Sequence, residues 1–505
     1  MPPDAGKTPR PTLSDRPRPR RDRSLARETT MTKTIKTDIC VIGAGSAGLS
    51  VAAGAAQMGA DVVLIEKGRM GGDCLNYGCV PSKALIAAGK AAYGQRHGAK
   101  FGLRDEPPRV DFEKVHDHVH GVIAAIAPHD SVERLEGLGC TVIQDHARFT
   151  GPRQVAAGDR VIEARRFVVA TGSRAAVPPI PGLDKVPFKT NETIFDNTRR
   201  PDHLIIIGAG PIGLEMAQAH RRLGARVTVI EKFDALAKDD PELADVVVAA
   251  LRREEIALHT RTDVVSVAGG DGDITVTIEK NGRREDVRGT ELLVAAGRTP
   301  NLDGLDLDAA GIRHGPRGIE VDGRLRTSNR RVFAIGDAKG GLMFTHVAGY
   351  DAGIVIRNAL FRIPAKADYA AVPWITYTDP ELAHVGLTEA AARDRYGDRV
   401  RSIRWDYAEN DRAQAERATE GFVKVVTGRG GRVLGASIVG RQAGELLQPW
   451  LLAISRKLKM SAMAGIIAPY PTLGEVNKRV AGAYYTDALF SDRTKKIVRL
   501  LQKLG

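Results

Sequence analysis

Two thiols, Cys74 and Cys79, lie in the run Gly71-Gly72-Asp73-Cys74-Leu75-Asn76-Tyr77-Gly78-Cys79-Val80-Pro81-Ser82-Lys83. A thiol pair this close can cycle between dithiol and disulfide, and so carry an electron pair between a neighbouring redox cofactor and an outside acceptor. Asp73 has the side chain of an N-cap, which predicts one helix from Cys74 through the Ala-rich stretch near Ala92. Cys74 then lies in the first turn, where the helix dipole favours the thiolate. Five residues at about 100° each leave the two thiols about 140° apart on an ideal helix. Bridging them therefore requires a distorted first turn, and a strained disulfide is easily reduced. Lys83 is four residues past Cys79 and shares its face, where an ammonium stabilises negative charge on a thiolate or a reduced cofactor. Two structural thiols or half a zinc site are the other readings. A zinc site needs two further ligands, and no second close Cys pair exists.

The elements that must position the pair begin just upstream. Residues 38–42 read as an apolar strand, followed by Gly43-Ala44-Gly45-Ser46-Ala47-Gly48, a helix after Ser46 and a strand over 62–65. Glycines at 43, 45 and 48 allow a tight turn, close approach of backbone N–H groups to a pyrophosphate, and tight helix packing. Glu66 closes the second strand, 18 residues past Gly48, where a carboxylate can accept both ribose hydroxyls. Strand, loop, helix, strand and acid recur downstream: residues 204–207, then Gly208-Ala209-Gly210-Pro211-Ile212-Gly213, then 227–230 and Glu231. Two such sites imply two dinucleotides, a flavin and a nicotinamide. Glu231 favours NADH over NADPH by repelling a 2′-phosphate, and Lys232 beside it works the other way.

The 505 residues have room for several domains, and the two βαβ units predict doubly wound parallel sheets in an α/β chain. Residues 274–278 with the turn Asn281-Gly282 predict antiparallel strands after the second unit. From about Ala370 strands alternate with amphipathic helices and no Gly loop, which predicts a separate C-terminal α+β domain. Four cysteines in all are too few for a disulfide scaffold and fit a reducing compartment, so a cytoplasmic location is expected. Cys40 and Cys140 read as packing residues. The net charge of +13 is partly local: residues 1–30 hold eight Lys or Arg against four acids and are Pro-rich, the composition of a solvated, disordered tail. Neither nucleic acid nor a membrane is the expected partner, and no apolar run approaches the ~18 residues of a bilayer span.

Over residues 35–490 the chain resembles the class I flavoprotein (pyridine nucleotide) disulfide oxidoreductases, in the branch of mercuric reductase and lipoamide dehydrogenase. The run 71–83 is similar to that family's redox signature, and Ala170-Thr171-Gly172-Ser173 to its mid-chain flavin motif. Phe333-Ala334-Ile335-Gly336-Asp337 resembles the second flavin motif, and Ala295-Ala296-Gly297-Arg298-Thr299-Pro300-Asn301 the return from the nicotinamide domain. The resemblance implies FAD and NAD(P)H as cofactors, with FAD-binding parts at 35–185 and 300–368, an NAD(P)-binding domain at 186–299 and a dimerisation domain at 369–505 after a basic tail at 1–34. It implies Thr171, Gly172 and Gly297 at the cofactors and Asp337 on the ribityl chain. Cys79 would face the flavin, Cys74 would exchange with substrate, and Lys83 would pair with Glu215. A homodimer is implied, each C-terminal domain completing the other subunit's site.

One segment departs from the family. Disulfide-reducing members usually carry His-Pro-Thr-x-x-Glu, whose His is the acid/base for the exchanging thiol. Here it reads Tyr470-Pro471-Thr472-Leu473-Gly474-Glu475. A phenol of pKa about 10 is a poor base beside imidazole at about 6.5. After residue 369 the sole His is His384. Tyr at this position resembles mercuric reductase, yet that enzyme's C-terminal Cys pair has no counterpart, and its metal-binding N-terminal domain is not expected here. The expected acceptor is therefore a small-molecule or small-protein disulfide or thiol, with a soft metal ion as the alternative. No resident metal is expected. Tyr470 as a packed aromatic at a dimer interface is the plain alternative to a catalytic role.

Overall fold

The computed structural model describes residues 33–503. The expected tail lies outside the described residues except for Lys33 and Thr34, which already belong to the first strand, Lys33–Ile42.

The first nucleotide unit is a seven-stranded sheet. Its parallel centre runs Cys140–Gln144, Val62–Glu66, Lys33–Ile42, Arg160–Val169. Arg160–Val169 is long enough to serve two neighbours along its other edge: residues 160–163 pair antiparallel with Gln154–Ala157, and 167–169 pair parallel with Val332–Ala334. The late strand Val332–Ala334 thus returns the chain to the first sheet after the second unit is complete. Successive side chains of a strand point to opposite faces. Val41 accordingly enters the core under the helix Ser46–Gln57, while Cys40 and Ile42 enter the core on the other face. Cys40 and Cys140 are both buried, as packing thiols should be.

The second unit is a four-stranded parallel sheet in the order Ala257–His259, Arg226–Ile230, His203–Ile207, Glu291–Val294. Beside it three antiparallel strands form a meander, Asp263–Gly270, Asp273–Lys280 and Arg283–Gly289. The expected turn joins the last two, with Asn281 at φ 52° and Gly282 at φ 76°, the left-handed pair that a tight hairpin demands. The third unit is a five-stranded antiparallel sheet, Pro373–Thr376, Glu381–Gly386, Val433–Gly440, Phe422–Thr427 and Arg401–Asp406. Helices Gln448–Ser455 and Glu475–Ala483 cover it, with Trp450 fully buried and its indole N–H donated to Asn477 at 2.7 Å.

The expected single helix after Asp73 is two. A short helix Gly72–Asn76 ends at Tyr77, and a second runs Cys79–Arg96. Gly78 stands between them at φ −129°, ψ −110°, and a Cβ there would lie 2.9 Å from Asp73 Oδ2 and 3.0 Å from Asp73 O. A side chain at that position would push the two helices apart. Asp73 is inside the first helix, whose N-cap is Gly71.

Candidate active site

The two Gly loops are built to one plan. Gly43 has φ +104° and Gly208 φ +113°, and a Cβ on either would fall 2.4 Å from a carbonyl oxygen of the neighbouring strand's continuation, Ala170 or Ala295. Gly48 and Gly213 lie on their helices so close to the Gly43 and Gly208 carbonyls that a Cβ would sit at 1.8 Å and 2.0 Å. The middle glycines are different. Gly210 has nothing within 4 Å of its would-be Cβ and Gly45 has only the Gly72 Cα at 3.9 Å, so these positions face open space. Helices begin at Ser46 and Pro211, and their first-turn N–H groups have no intrahelical partner. Each loop is therefore a cradle a side chain would fill and a pyrophosphate fits.

The acids lock these loops. Glu66 accepts from the backbone N–H of Ala44 and of Gly68, the latter at 2.7 Å, and Glu231 accepts from Ala209 at 2.8 Å and Phe233 at 2.9 Å. Each carboxylate is thus fixed at the strand end with lone pairs remaining for ribose hydroxyls. Lys232 does not reach across to Glu231's side: its ammonium lies 2.9 Å from Asp263. Arg261 is likewise held, by both oxygens of Asp234.

A polar crossing joins the first and second units. Thr171 Oγ1 donates to Asn301 O at 2.7 Å, and Asn301 Nδ2 returns a bond to Thr171 O at 3.2 Å. Gly172 at φ +70° and Gly297 at φ +118° make the turns that bring these strands together. Ser173 Oγ donates to Asp337 Oδ2 at 2.5 Å, while Arg298 donates to Ser173 and stands 3.1 Å from Asp73. Burial pushes the Asp337 carboxyl up, against the Ser173 hydrogen bond and the Arg298 charge. Arg298 and Ser173 lie within the motifs read from sequence, but their link from Asp337 to the Cys-bearing helix required the fold.

The helix break sets the thiols apart chemically. Cys74 is half-buried within the short helix; Cys79 is exposed and is the first residue of the long one. Both are free thiols, and Cys74 donates a hydrogen bond to Cys79, which is the main cause of Cys79 being pushed down to about 6. Thr345, whose hydroxyl lies 3.3 Å from Cys79 Sγ, and the charge of Lys83 push the same way. That same bond, with burial, pushes Cys74 up. The dipole was expected to favour the thiolate at Cys74; Cys74 does lie in a first turn, but of the short helix, and Cys79, which begins the long helix, is the thiol pushed down. Thr345 begins the helix Thr345–Ala359, so a second helix start also meets the pair. It lies 266 residues from Cys79 and no local signal marks it.

Lys83 meets Glu215 at 2.9 Å, and its ammonium lies 4.2 Å from the centre of the Tyr377 ring. The other oxygen of Glu215 accepts the Tyr377 backbone N–H at 3.0 Å. Tyr470 and Glu475 bond elsewhere within the chain. Tyr470 is 67% exposed and donates to Asp411 Oδ2 at 2.9 Å, so no shielding holds it for this subunit's own thiols. Glu475 is buried and pairs with Arg479 at 3.1 Å. The Asp411 contact pushes the phenol up, further from use as a base. His384 cannot replace it: buried between Ser437 Oγ at 2.7 Å and Gly386 O at 3.0 Å, it is pushed down to about 4 by desolvation. Among the described residues, no group of three or more His, Cys, Asp or Glu is arranged to hold a metal ion, and no helix is long and apolar enough to cross a membrane.

Comparison with known proteins agrees with this geometry. Residues 37–352 match the family described as pyridine nucleotide-disulphide oxidoreductase, and residues 372–481 match its dimerisation domain. The chain is 34% identical over 442 residues to a mercuric reductase of Bacillus cereus, covering 87% of this chain and 70% of that one. It is 34% identical over 461 residues to a dihydrolipoyl dehydrogenase of Geobacillus stearothermophilus, covering 88% and 96%. A solved Cu(II) complex of the HOCl-induced flavoprotein disulfide reductase RclA from Escherichia coli superposes with TM-score 0.79 at 26% identity, over 88% of this chain and 99% of that one.

Proposed function

Because this chain belongs to the pyridine nucleotide-disulphide oxidoreductase family, whose cofactors are FAD and NAD(P)H, we propose that it passes electrons from NADH to the Cys74–Cys79 pair and on to a soft metal ion held by thiolates. FAD bound across the first loop supplies the relay that takes hydride from the nicotinamide and gives an electron pair to the disulfide. The chain's own residues do the rest. Gly43, Gly45, Gly48 and Glu66 hold the FAD pyrophosphate and ribose, Thr171, Gly172 and Asp337 its further length, and Gly208, Gly210, Gly213, Glu231 and Gly297 the nicotinamide dinucleotide. Lys83, paired with Glu215, and Cys79 set the charge next to the relay. Cys74, the thiol pushed up, would exchange with the acceptor.

Tyr470 carries the choice of acceptor. Disulfide exchange needs a group that takes a proton from the attacking thiol and returns it to the leaving one. A phenol donating to Asp411 does this poorly, and electron transfer to a thiol-bound metal ion, two electrons to one Hg(II) or one to each of two Cu(II), needs no such relay. The likeness to a mercuric reductase and to a protein solved with Cu(II) supports the same reading. The retained Glu475 and the likeness to a dihydrolipoyl dehydrogenase favour the second reading, a small-molecule or small-protein disulfide. A homodimer through residues 372–481 would bring Tyr470 to the partner's thiols.

Air-free NADH oxidation with thiol-bound Hg(II) or Cu(II) is expected to run at least about tenfold faster than with lipoamide, glutathione disulfide or cystine, and Cys74→Ser to slow it. Turnover with a disulfide alone would overturn the metal reading. The nucleotide preference follows from Glu231, with Lys232 already paired to Asp263. Glu231→Ala should raise KM for NADH and narrow its advantage over NADPH by about tenfold in kcat/KM; an unchanged ratio would remove Glu231 from the ribose.

A further inference from the structure

The last helix, Asp492–Leu501, has no buried residue. A helix of ten residues is below the ~12–15 at which isolated helices become marginally stable in water, so it needs a surface to lie on. Its composition says which kind. At about 100° per residue, Ile497, Val498, Leu500 and Leu501 fall on one arc, and Lys495, Lys496 and Arg499 on the opposite one. Those four apolar side chains are 46–61% exposed, and Leu489 and Phe490 in the preceding turn are 58% and 69% exposed. Arg493, near the first turn, lies under the apolar arc, where its alkyl stem can bury while the guanidinium reaches water. Asp492 is at the N-terminal end, and from Arg493 onward every charged residue through Lys503 is basic.

A second copy of this chain is a poor cover for that face. The matched dimerisation domain ends at residue 481, eleven residues before the helix starts. The chain also carries a net charge of +13, and a basic helix gains nothing by approaching a basic surface. A short helix with a large apolar stripe and a Lys/Arg-rich polar face is instead the construction that lies in the interface of an anionic lipid layer. The apolar arc enters the acyl boundary, and the flanking ammonium and guanidinium groups meet the headgroup phosphates.

We propose that the helix Asp492–Leu501 docks this enzyme reversibly on an anionic membrane surface, the occupant of its apolar face being lipid. The docking is peripheral and independent of the electron-transfer site.

The test is co-sedimentation of the FAD-loaded full chain with vesicles of phosphatidylcholine alone and of phosphatidylcholine with about 30% phosphatidylglycerol. Binding is expected to the anionic vesicles only, to weaken with salt, and to fall by about tenfold in Ile497→Glu/Leu501→Glu and in Lys495→Glu/Lys496→Glu/Arg499→Glu. Unchanged flavin absorbance and unchanged NADH oxidation in solution would show that the variants are folded. No binding by the full chain, or undiminished binding by both variants, overturns the proposal. So does a fall in oligomeric state of Ile497→Glu/Leu501→Glu in sedimentation velocity when the unmodified chain ignores vesicles, because the face then belongs to a second copy.

Discussion

Replacing Cys79 with Ser is expected to lower NADH-dependent turnover with any external acceptor by at least about 10³-fold, because residues that act as a unit lose nearly everything when one is removed. The same substitution should remove the long-wavelength absorption that a thiolate produces beside an oxidised flavin. Cys74→Ala should lose turnover to the same degree yet keep that absorption. Its titration carries the sharper information. In the unmodified chain Cys79 is pushed down to about 6, chiefly by the hydrogen bond from Cys74, so the band should be full above that pH and fade below it. Without Cys74 the main cause is gone, and the midpoint should rise. An unchanged midpoint in Cys74→Ala, or surviving turnover in either variant, would refute the assignment of the thiols.

The second large effect is expected at Lys83. Its side chain is 38% exposed, but that of Glu215, which it meets, is 5% exposed. Lys83→Met therefore strands a charge in the interior. Breaking such a pair from one side costs about 3–5 kcal/mol when both partners are buried, and water at Lys83 brings this to about 2 kcal/mol. Denaturant unfolding should show the loss. The double variant Lys83→Met/Glu215→Gln should recover most of it, since the stranded charge is gone. Lys83→Met should also raise the Cys79 midpoint, as the ammonium contributes to lowering it. Equal stability of the single and double variants would show that Glu215 does not depend on Lys83.

What the sequence made legible was local. A strand, a Gly loop, a helix and an acid at fixed spacing are covalently close, so Gly43 through Glu66 and Gly208 through Glu231 could be placed without a fold. The break between the Cys-bearing helices was also local, and Gly78 was its signal: a glycine between Tyr77 and Cys79 marks where backbones approach too closely for a Cβ. Reading the Ala-rich stretch as one helix let propensity outweigh that glycine, and the start of the long helix was placed at Cys74 instead of Cys79 as a result. Thr345, Asp411 and the crossing from Asp337 through Ser173 and Arg298 to Asp73 were illegible for another reason. Each joins residues far apart in the chain, and no periodicity connects them. Tyr470 stood out in the sequence as a departure, but only the fold showed that its hydroxyl donates to Asp411 and that His384 is sealed in a core.

The near-identity of the two Gly loops has a practical consequence. Two hard contacts, one open glycine and one doubly bonded acid recur with spacings that differ by 0.3 Å or less. The molecule thus carries an internal duplicate of its own phosphate grip, one copy for a resident passenger and one for a visitor. A change made at Gly45 can be judged against the same change at Gly210, in the same solution and the same polypeptide. Whatever distinguishes permanent tenancy from rapid exchange must then reside outside the loops, in the walls each dinucleotide meets beyond them.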